Sequence, residues 1–510
     1  MDKERFARFI TLPTIFLLDA VSIGFSIYLI TISLNLSMLL IAIIFLILTV
    51  IAAFFNTVAA FSYYDSYFYE KRIKKEKNLF GKIKRYYTVA IVVPTYNEDP
   101  KIVEKTLKKL RTIDYPKEKV NFYLLDDSSD SELADELRRI AERNGFRFMH
   151  RNERKGFKAG ALNNFLRQSD EELIAIFDAD EYLINKNFLK ELVPAFDDPK
   201  VGYIQTEKRY ANSNFFANSI NLFNSFFFSF IQPSRASHNT SIFAGSCGII
   251  RRKALEDVGG FPEYVIEDTF FSFEARMKNY KGLYVPKIYA LGRPIKRFST
   301  FARQQWRYNY GGTQFLEYYL SKIRKKKFSF VEHSDYISLG FGLNYLSVVL
   351  LLFTILSILI VFSNFPFTRE SLSYILNPLY FKFYLELYGI LALLLSFLAP
   401  IIVSRIYFGS FRYGILIFLL NFALAVIRTK AAIAALLKAN PGYKWIKGSE
   451  KRYDRFISAF KNSITEVMLS LSLFALGIFA FLTNNFSGGV WLLWYSLLYS
   501  STFYFFYKYG

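Results

Sequence analysis

Two apolar segments near the start of the chain, residues 9–32 and 37–63, are each long enough to cross about 30 Å of hydrocarbon as helices. Five more lie in the C-terminal third, at about 336–363, 380–404, 411–437, 463–483 and 489–507. Segments of this length constrain the fold more than any other feature, because everything else must be hung between them. Composition agrees: 52% of the 510 residues are hydrophobic and 19% aromatic, yet 21% are charged, which implies spans plus a sizeable water-facing domain. The N-terminal segment is no cleavable signal peptide, being too long and followed at once by a second. The single cysteine, Cys247, excludes an intrachain disulfide framework.

Charge sets the expected topology. A net charge of +21 suits either nucleic-acid binding or a membrane protein with its basic residues gathered in the cytoplasm. The basic run Lys71-Arg72-Ile73-Lys74-Lys75-Glu76-Lys77 directly follows the second segment, so the second reading holds and no nucleic-acid partner is expected. That run and the N-terminus are then cytoplasmic. Asp19, inside the first span, either lines a polar path or pairs within the bundle. Residues 438–461 carry seven Lys and Arg side chains, and Arg428 and Lys430 lie within 411–437. A span over 411–437 would strand the seven outside, so an interfacial helix is expected there, its basic side chains reaching headgroups. The count is about six spans with both termini cytoplasmic. The expected organisation is two spans in 1–70, a cytosolic domain over 71–335, two spans in 336–404, an interfacial helix and loop in 405–461, and two spans in 462–510.

From Thr88 to about Lys296 strands alternate with helices. Strands are expected at 89–93, 120–125, 146–150 and in the run Leu173–Phe177, with helices at 100–113, 131–144 and 160–167. Such alternation implies a doubly wound, mostly parallel α/β sheet, with polar clusters at the carboxyl ends of its strands. Those clusters are Thr95-Tyr96-Asn97-Glu98, Asp126-Asp127 and Asp178-Ala179-Asp180. Two carboxylates flanking a small residue can hold a hard cation and through it a diphosphate, although a solvated turn is the plainer alternative. Amphipathic interfacial helices are expected near 214–232 and 299–320. Asp268, after Glu267, can act as a base or cap a helix.

These motifs, in order, resemble processive family 2 glycosyltransferases, particularly the bacterial cellulose synthase catalytic subunit, and also hyaluronan, chitin and mannan synthases. They are Pro94–Glu98, Asp126-Asp127, Lys158-Ala159-Gly160, Asp178–Asp180, Phe243-Ala244-Gly245-Ser246, Glu267-Asp268 and Gln304-Gln305-Trp306-Arg307-Tyr308. The resemblance implies a GT-A-type domain set in a helical membrane domain, in the plasma membrane with its lipids. It implies a UDP-sugar donor held by Thr95, Tyr96, Glu98, Asp126, Asp127, Lys158 and Asp178. It implies Mg²⁺ or Mn²⁺ on Asp178 and Asp180, and Asp268 as general base. Phe243, Gly245, Ser246, Glu267, Gln304, Gln305, Arg307 and Tyr308 would meet the diphosphate or a polysaccharide or glycolipid acceptor. Tyr308 stands where the family has Trp, and Ile266 where it usually has Thr. Residues 440–448, with Tyr443 and Lys447, resemble the family's gating loop or are a solvated basic loop. No cyclic-di-GMP module is expected after the last span. Two other functions stay open at this point: transfer of one sugar to a lipid, and a nucleotide-sensing transporter or channel.

Overall fold

The computed structural model describes residues 3–73, 81–363, 404–405, 409–439, 452–483 and 485–510. The expected span at 380–404 and the gating-like residues Tyr443 and Lys447 lie outside them. In chain order the helices are α1 (Lys3–Thr31), α2 (Leu36–Ile73), α3 (Pro100–Leu110), α4 (Ser131–Arg143), α5 (Phe157–Leu166), α6 (Phe188–Leu192), α7 (Phe215–Phe226), α8 (Gln232–Ser237), α9 (Arg252–Val258), α10 (Glu267–Met277), α11 (Phe298–Lys322), α12 (Phe330–Phe362), α13 (Phe411–Leu436), α14 (Arg452–Asn462), α15 (Ile464–Leu482) and α16 (Phe486–Tyr509). The strands are β1 (Val89–Thr95), β2 (Val120–Asp126), β3 (Arg147–His150), β4 (Leu173–Ile176), β5 (Glu181–Leu183), β6 (Val201–Tyr210), β7 (Gly248–Arg251) and β8 (Lys281–Gly292). The chain divides into two compact units. One comprises 62–295 and 317–336, the other 1–61, 296–316 and 337–510.

The first unit is built on an eight-stranded sheet in the order β3-β2-β1-β4-β7-β6-β8-β5. Its half β3-β2-β1-β4 is parallel, as the βα alternation requires. The other half is mixed: β7 is antiparallel to β4 and β6, β8 runs parallel to β6, and β5 is antiparallel to β8. Sequence periodicity did not reveal β6, β7 or β8, because polar side chains such as Gln205, Thr206 and Glu207 are buried along β6 and break the apolar signature. In β1, alternate residues enter different cores. Val89, Ile91 and Val93 pack with Val103, Leu107 and Leu137 from α3 and α4. Ala90 and Val92 pack with Leu162 and Phe165 of α5, Leu255 of α9 and Phe271 of α10. Burial on both faces is why the strand reads as an unbroken apolar run. Each such side chain contributes about 1.5–3 kcal/mol, which fixes the strand ends where the polar clusters emerge.

The aromatic stretch near 214–232 forms α7 and α8, joined by one π-helical turn at Phe227–Ile231. His238, just beyond α8, bonds Asp335 Oδ2 through Nδ1 at 3.1 Å and places Nε2 3.5 Å from Asp65 Oδ2 on α2. Burial opposes its positive charge, but Asp335, Asp65 and Glu332 outweigh burial and raise its pKa above the usual 6.5. A raised pKa means that the protonated clamp stabilises the fold fully below about pH 6.5 and is lost as pH rises through the folded value. The melting temperature should therefore fall between pH 6 and 8 in wild type. His238→Gln should flatten that slope; a slope unchanged by the substitution would assign it to other groups.

In the second unit, Asp19 of α1 accepts a hydrogen bond from Asn56 Nδ2 of α2 at 2.9 Å, so it pairs within the bundle. Ser26 and Thr49 bond across the same pair at 3.0 Å. Four described helical segments are long and apolar enough to cross a membrane: Leu12–Thr31, Leu36–Ile73, Phe411–Leu436 and Ile464–Leu482. The bent pair Phe330–Gly342 and Leu346–Phe362 makes five if taken as one span. By length and composition α13 is among them, and α16, rich in Ser and Tyr, is not. The side chains expected to reach headgroups from α13 have protein partners instead. Arg428 is fully buried, bonding Gln305 and Asn421, and Lys430 donates to Thr465 Oγ1 at 2.7 Å.

Candidate active site

The carboxyl ends of β1, β2 and β4 gather the polar clusters. After β1, Asn97 takes a left-handed conformation (φ 52°). Its backbone N–H donates to Ser128 Oγ at 3.0 Å, and its side chain exchanges hydrogen bonds with Ser129. The loops following β1 and β2 are thereby tied together. Thr95 is buried, its Oγ1 without a hydrogen-bond partner. Tyr96 is exposed, with the Arg154 guanidinium 3.4 Å over its ring. Glu98 is half-buried. Burial raises its pKa, Asp178 and Asp99 push the same way, and Arg293 opposes them.

At the end of β2 the two aspartates are already engaged. Asp126 is fully buried, accepting from Ser128 Oγ at 2.6 Å and pairing with His150 Nδ1 at 2.7 Å. Asp127 holds Arg151 through two parallel bonds of 2.7 and 2.5 Å. Arg151 also donates to the carbonyls of Lys155 and Phe157, shaping the turn into α5. Gly160 is required there, since a Cβ would lie 2.0 Å from Lys155 O.

Asp178 follows β4 and keeps about a third of its side chain (36%) accessible. Lys158 donates to its Oδ1 at 2.6 Å, and Lys208 approaches its Oδ2 at 3.3 Å. Burial opposes the carboxylate, but the two lysines outweigh burial and hold its pKa well below the usual range. Ser246 Oγ lies 2.8 Å from both Asp178 Oδ2 and Glu181 Oε1, donating to one at a time, and accepts from Lys208. Asp180 is the opposite case. Burial first, then Asp178, Glu181 and Glu98, pushes its carboxyl up to about 7. Among the described residues no three His, Cys, Asp or Glu side chains form a ready metal cage. The donor set nonetheless fits a hard cation, because positive charge beside Asp180 would offset both its burial and the repulsion from Asp178, Glu181 and Glu98. Diphosphate oxygens and water would supply the remaining ligands.

Gly245 brings the next residues close. Its φ of 82° is left-handed, and a Cβ would stand 2.9 Å from Asp268 Oδ2. Lys158 also donates to Gly245 O at 3.0 Å. Asp268 is partly open in the first turn of α10, whose N-cap is Ile266, so it is not the capping residue. Its Oδ1 accepts from Thr269 N–H at 2.7 Å. Glu267 is buried, and its charge helps keep Lys158 protonated. Phe243 is a core side chain against Tyr203.

The remaining predicted residues lie on α11, in the other unit. Helical spacing splits them. Gln304, Arg307 and Tyr308 share one face, on which Arg307 and Tyr308 are exposed and Gln304 half-buried. Gln305 and Trp306 are buried on the other. Sequence reasoning missed His150, Arg151, Arg154, Glu181 and Lys208 in the sheet unit. Glu181 immediately follows Asp180, and the basic Arg151–Lys158 stretch precedes α5. Lys208 belongs to the undetected strand β6.

Residues 90–259 match the family described as glycosyl transferase family 2. Over 235 residues the chain is 27% identical to the cellulose synthase catalytic subunit (UDP-forming) of Pseudomonas fluorescens. It is 28% identical, also over 235 residues, to the cellulose synthase 1 catalytic subunit (UDP-forming) of Komagataeibacter xylinus. Each alignment covers 44% of this chain but only 31% of the relative. A mannosyltransferase from Pyrobaculum calidifontis, solved with GDP-mannose and Mn²⁺, shares the fold. It has a TM-score of 0.50 and 21% identity, with 76% of this chain and 99% of that one covered.

Proposed function

The chain carries a family 2 glycosyltransferase domain of the cellulose-synthase-like kind, and from that premise we propose that it is a membrane-embedded inverting enzyme that elongates a β-linked polysaccharide from a UDP-sugar. The observation that carries the reading is the approach of Asp268 to Gly245, beside the Lys158–Asp178 pair, at the carboxyl edge of a nucleotide-binding type of sheet. Tyr96, Glu98 and the unpartnered Thr95 hydroxyl are suited to the uridine side; Asp126, fully buried, would act there through Ser128 and His150, and Asp127 through Arg151 by shaping the loop. Lys158 is suited to the diphosphate. Asp178 and Asp180 would hold Mg²⁺ or Mn²⁺, which when bound supplies positive charge to the departing UDP.

The chain's own groups account for the proton. Oδ2 of Asp268, the oxygen nearest Gly245, is the one suited to take it. The acceptor hydroxyl oxygen bonds to the anomeric carbon as the bond from that carbon to the diphosphate oxygen breaks. Its proton passes to Asp268, and the configuration inverts. Gln304, Arg307 and Tyr308 present a polar and aromatic face for the acceptor. A panel of UDP-sugars, scored by UDP release from the purified full chain, tests the reading: release with none of them ends it. Tyr308 in place of Trp favours a second reading, single transfer to a lipid. A ladder of long products supports elongation, and one glycolipid product supports the alternative.

Gly245→Ala should lower turnover at least about tenfold. Left-handed backbone costs a Cβ-bearing residue about 1–2 kcal/mol, and the added carbon displaces Asp268 Oδ2 from its position. UDP affinity should change little. Equal losses in UDP binding and turnover would mean that the sheet edge as a whole had been disturbed.

For the membrane frame we propose cytoplasmic termini and a cytoplasmic catalytic unit. In a Cys247→Ser background, Asn35→Cys should react with an impermeant thiol reagent on intact cells and Lys461→Cys should not. The reverse pattern overturns the orientation.

A further inference from the structure

Arg428 is the largest fully buried side chain among the described residues. It belongs to α13, and its Nη2 donates to Gln305 Oε1 on α11 at 2.7 Å in a buried contact. A second, longer bond of 3.4 Å joins its Nη1 to Asn421 on its own helix. Five residues further along α11, Tyr310 donates through its hydroxyl to Ala439 O, just past the end of α13, at 2.7 Å. The acceptor-motif helix is therefore pinned to α13 at two points, Gln305 and Tyr310, both buried, while Arg307 and Tyr308 are exposed.

A guanidinium buried in an apolar bundle is costly to desolvate, and an apolar residue of similar size is often as stable or more so. What a directional, charge-assisted bond adds is register: it is satisfied at one rotation and one height of α11. A rotation of α11 by one residue is about 100° at 3.6 residues per turn, and it would carry Arg307 and Tyr308 off the open face. We propose that Arg428 is a positioning residue for transfer, which locks the rotation of α11 so that Gln304, Arg307 and Tyr308 present together. The proposal rests on the acceptor role given above to that face. Gln305, on this account, acts through Arg428 and not by touching sugar.

The test uses the full chain in detergent, with Arg428→Lys, Arg428→Met, Gln305→Met and the double variant Arg428→Met/Gln305→Met. Turnover is read as UDP release from the best donor of the panel, and donor-site integrity as UDP affinity in Mn²⁺. Arg428→Met should lower kcat about ten- to a hundredfold, the usual range for losing a hydrogen bond to a charged group, with UDP affinity within about twofold. Arg428→Lys should recover most of the loss. The double variant should be no worse than Arg428→Met alone, because both changes remove one contact. Amide exchange over 303–310 should quicken in Arg428→Met and not in Arg428→Lys, a readout that needs no turnover. If wild type releases UDP from no donor, the functional reading fails while exchange still reports on the clamp. Normal turnover in Arg428→Met overturns the proposal. So does a parallel fall of kcat, UDP affinity and melting temperature, or exchange over 303–310 unchanged from wild type.

Discussion

Asp268→Asn should retain UDP and lose turnover by about 10²-fold or more, the usual range for removing a general base. The substitution keeps the shape of the side chain. The acceptor to Thr269 N–H at 2.7 Å can be preserved by the amide oxygen, so α10 should still begin at Glu267. What is lost is the ability of the second oxygen, facing Gly245, to take a proton. Because Lys158, Asp178 and Ser246 are untouched, the donor side should be intact. Measured UDP affinity and melting temperature close to wild type, with turnover nearly abolished, are therefore expected together. Near-normal UDP release from Asp268→Asn would remove Asp268 from the mechanism.

Asp178→Ala is expected to fail differently, at the level of binding. The Asp178 carboxylate is shared by Lys158 at 2.6 Å and Lys208 at 3.3 Å, so its removal takes a charged partner from both lysines, although Lys208 keeps Glu181 at 3.1 Å. Charge-assisted bonds of this type are each worth about 1.5–3 kcal/mol. Because Asp178 is a proposed ligand of the cation that would hold the diphosphate, UDP affinity in Mn²⁺ should weaken about ten- to a hundredfold, the range for losing one such charge-assisted contact. Asp180→Ala should weaken it too, but by relieving crowding among Asp178, Glu181 and Glu98 it should not lower the melting temperature. Excess EDTA should stop wild-type turnover, and undiminished activity in EDTA would exclude the cation. On the proposed assignment a cation and a proton would compete for Asp180, whose carboxyl is pushed up to about 7. Cation-dependent UDP affinity should therefore fall as pH drops below that value. Without a cation, ionising this acid opposes folding, so its contribution to stability declines as pH rises toward 7.

How much of this was legible in the sequence depended on whether a feature is local. The apolar runs of β1, β2 and β4 declare themselves because both their faces are buried, and the acids that end them are adjacent in the chain. The ordered motifs from Pro94 to Tyr308 likewise name a chemistry without any contact being known. Gly245 is conspicuous as a small residue, but only the fold shows that a Cβ there would meet Asp268, 23 positions away. Lys208 was hidden because β6 carries polar side chains inward, where they bond the 244–247 loop, so no alternating pattern marks the strand. The membrane segments show the same limit. Hydropathy registers Arg428 as a charge within an apolar helix and sends it to the headgroups. In the folded chain it is bonded to Gln305 from a helix more than a hundred residues earlier. Local periodicity and charge thus determined the class of fold and the chemical vocabulary of the site. Which side of Asp178 carries positive charge, and which face of the Gln304–Tyr308 helix is open, were decided by non-local pairing of buried polar groups. The energy of that pairing depends on partners brought together by the tertiary structure.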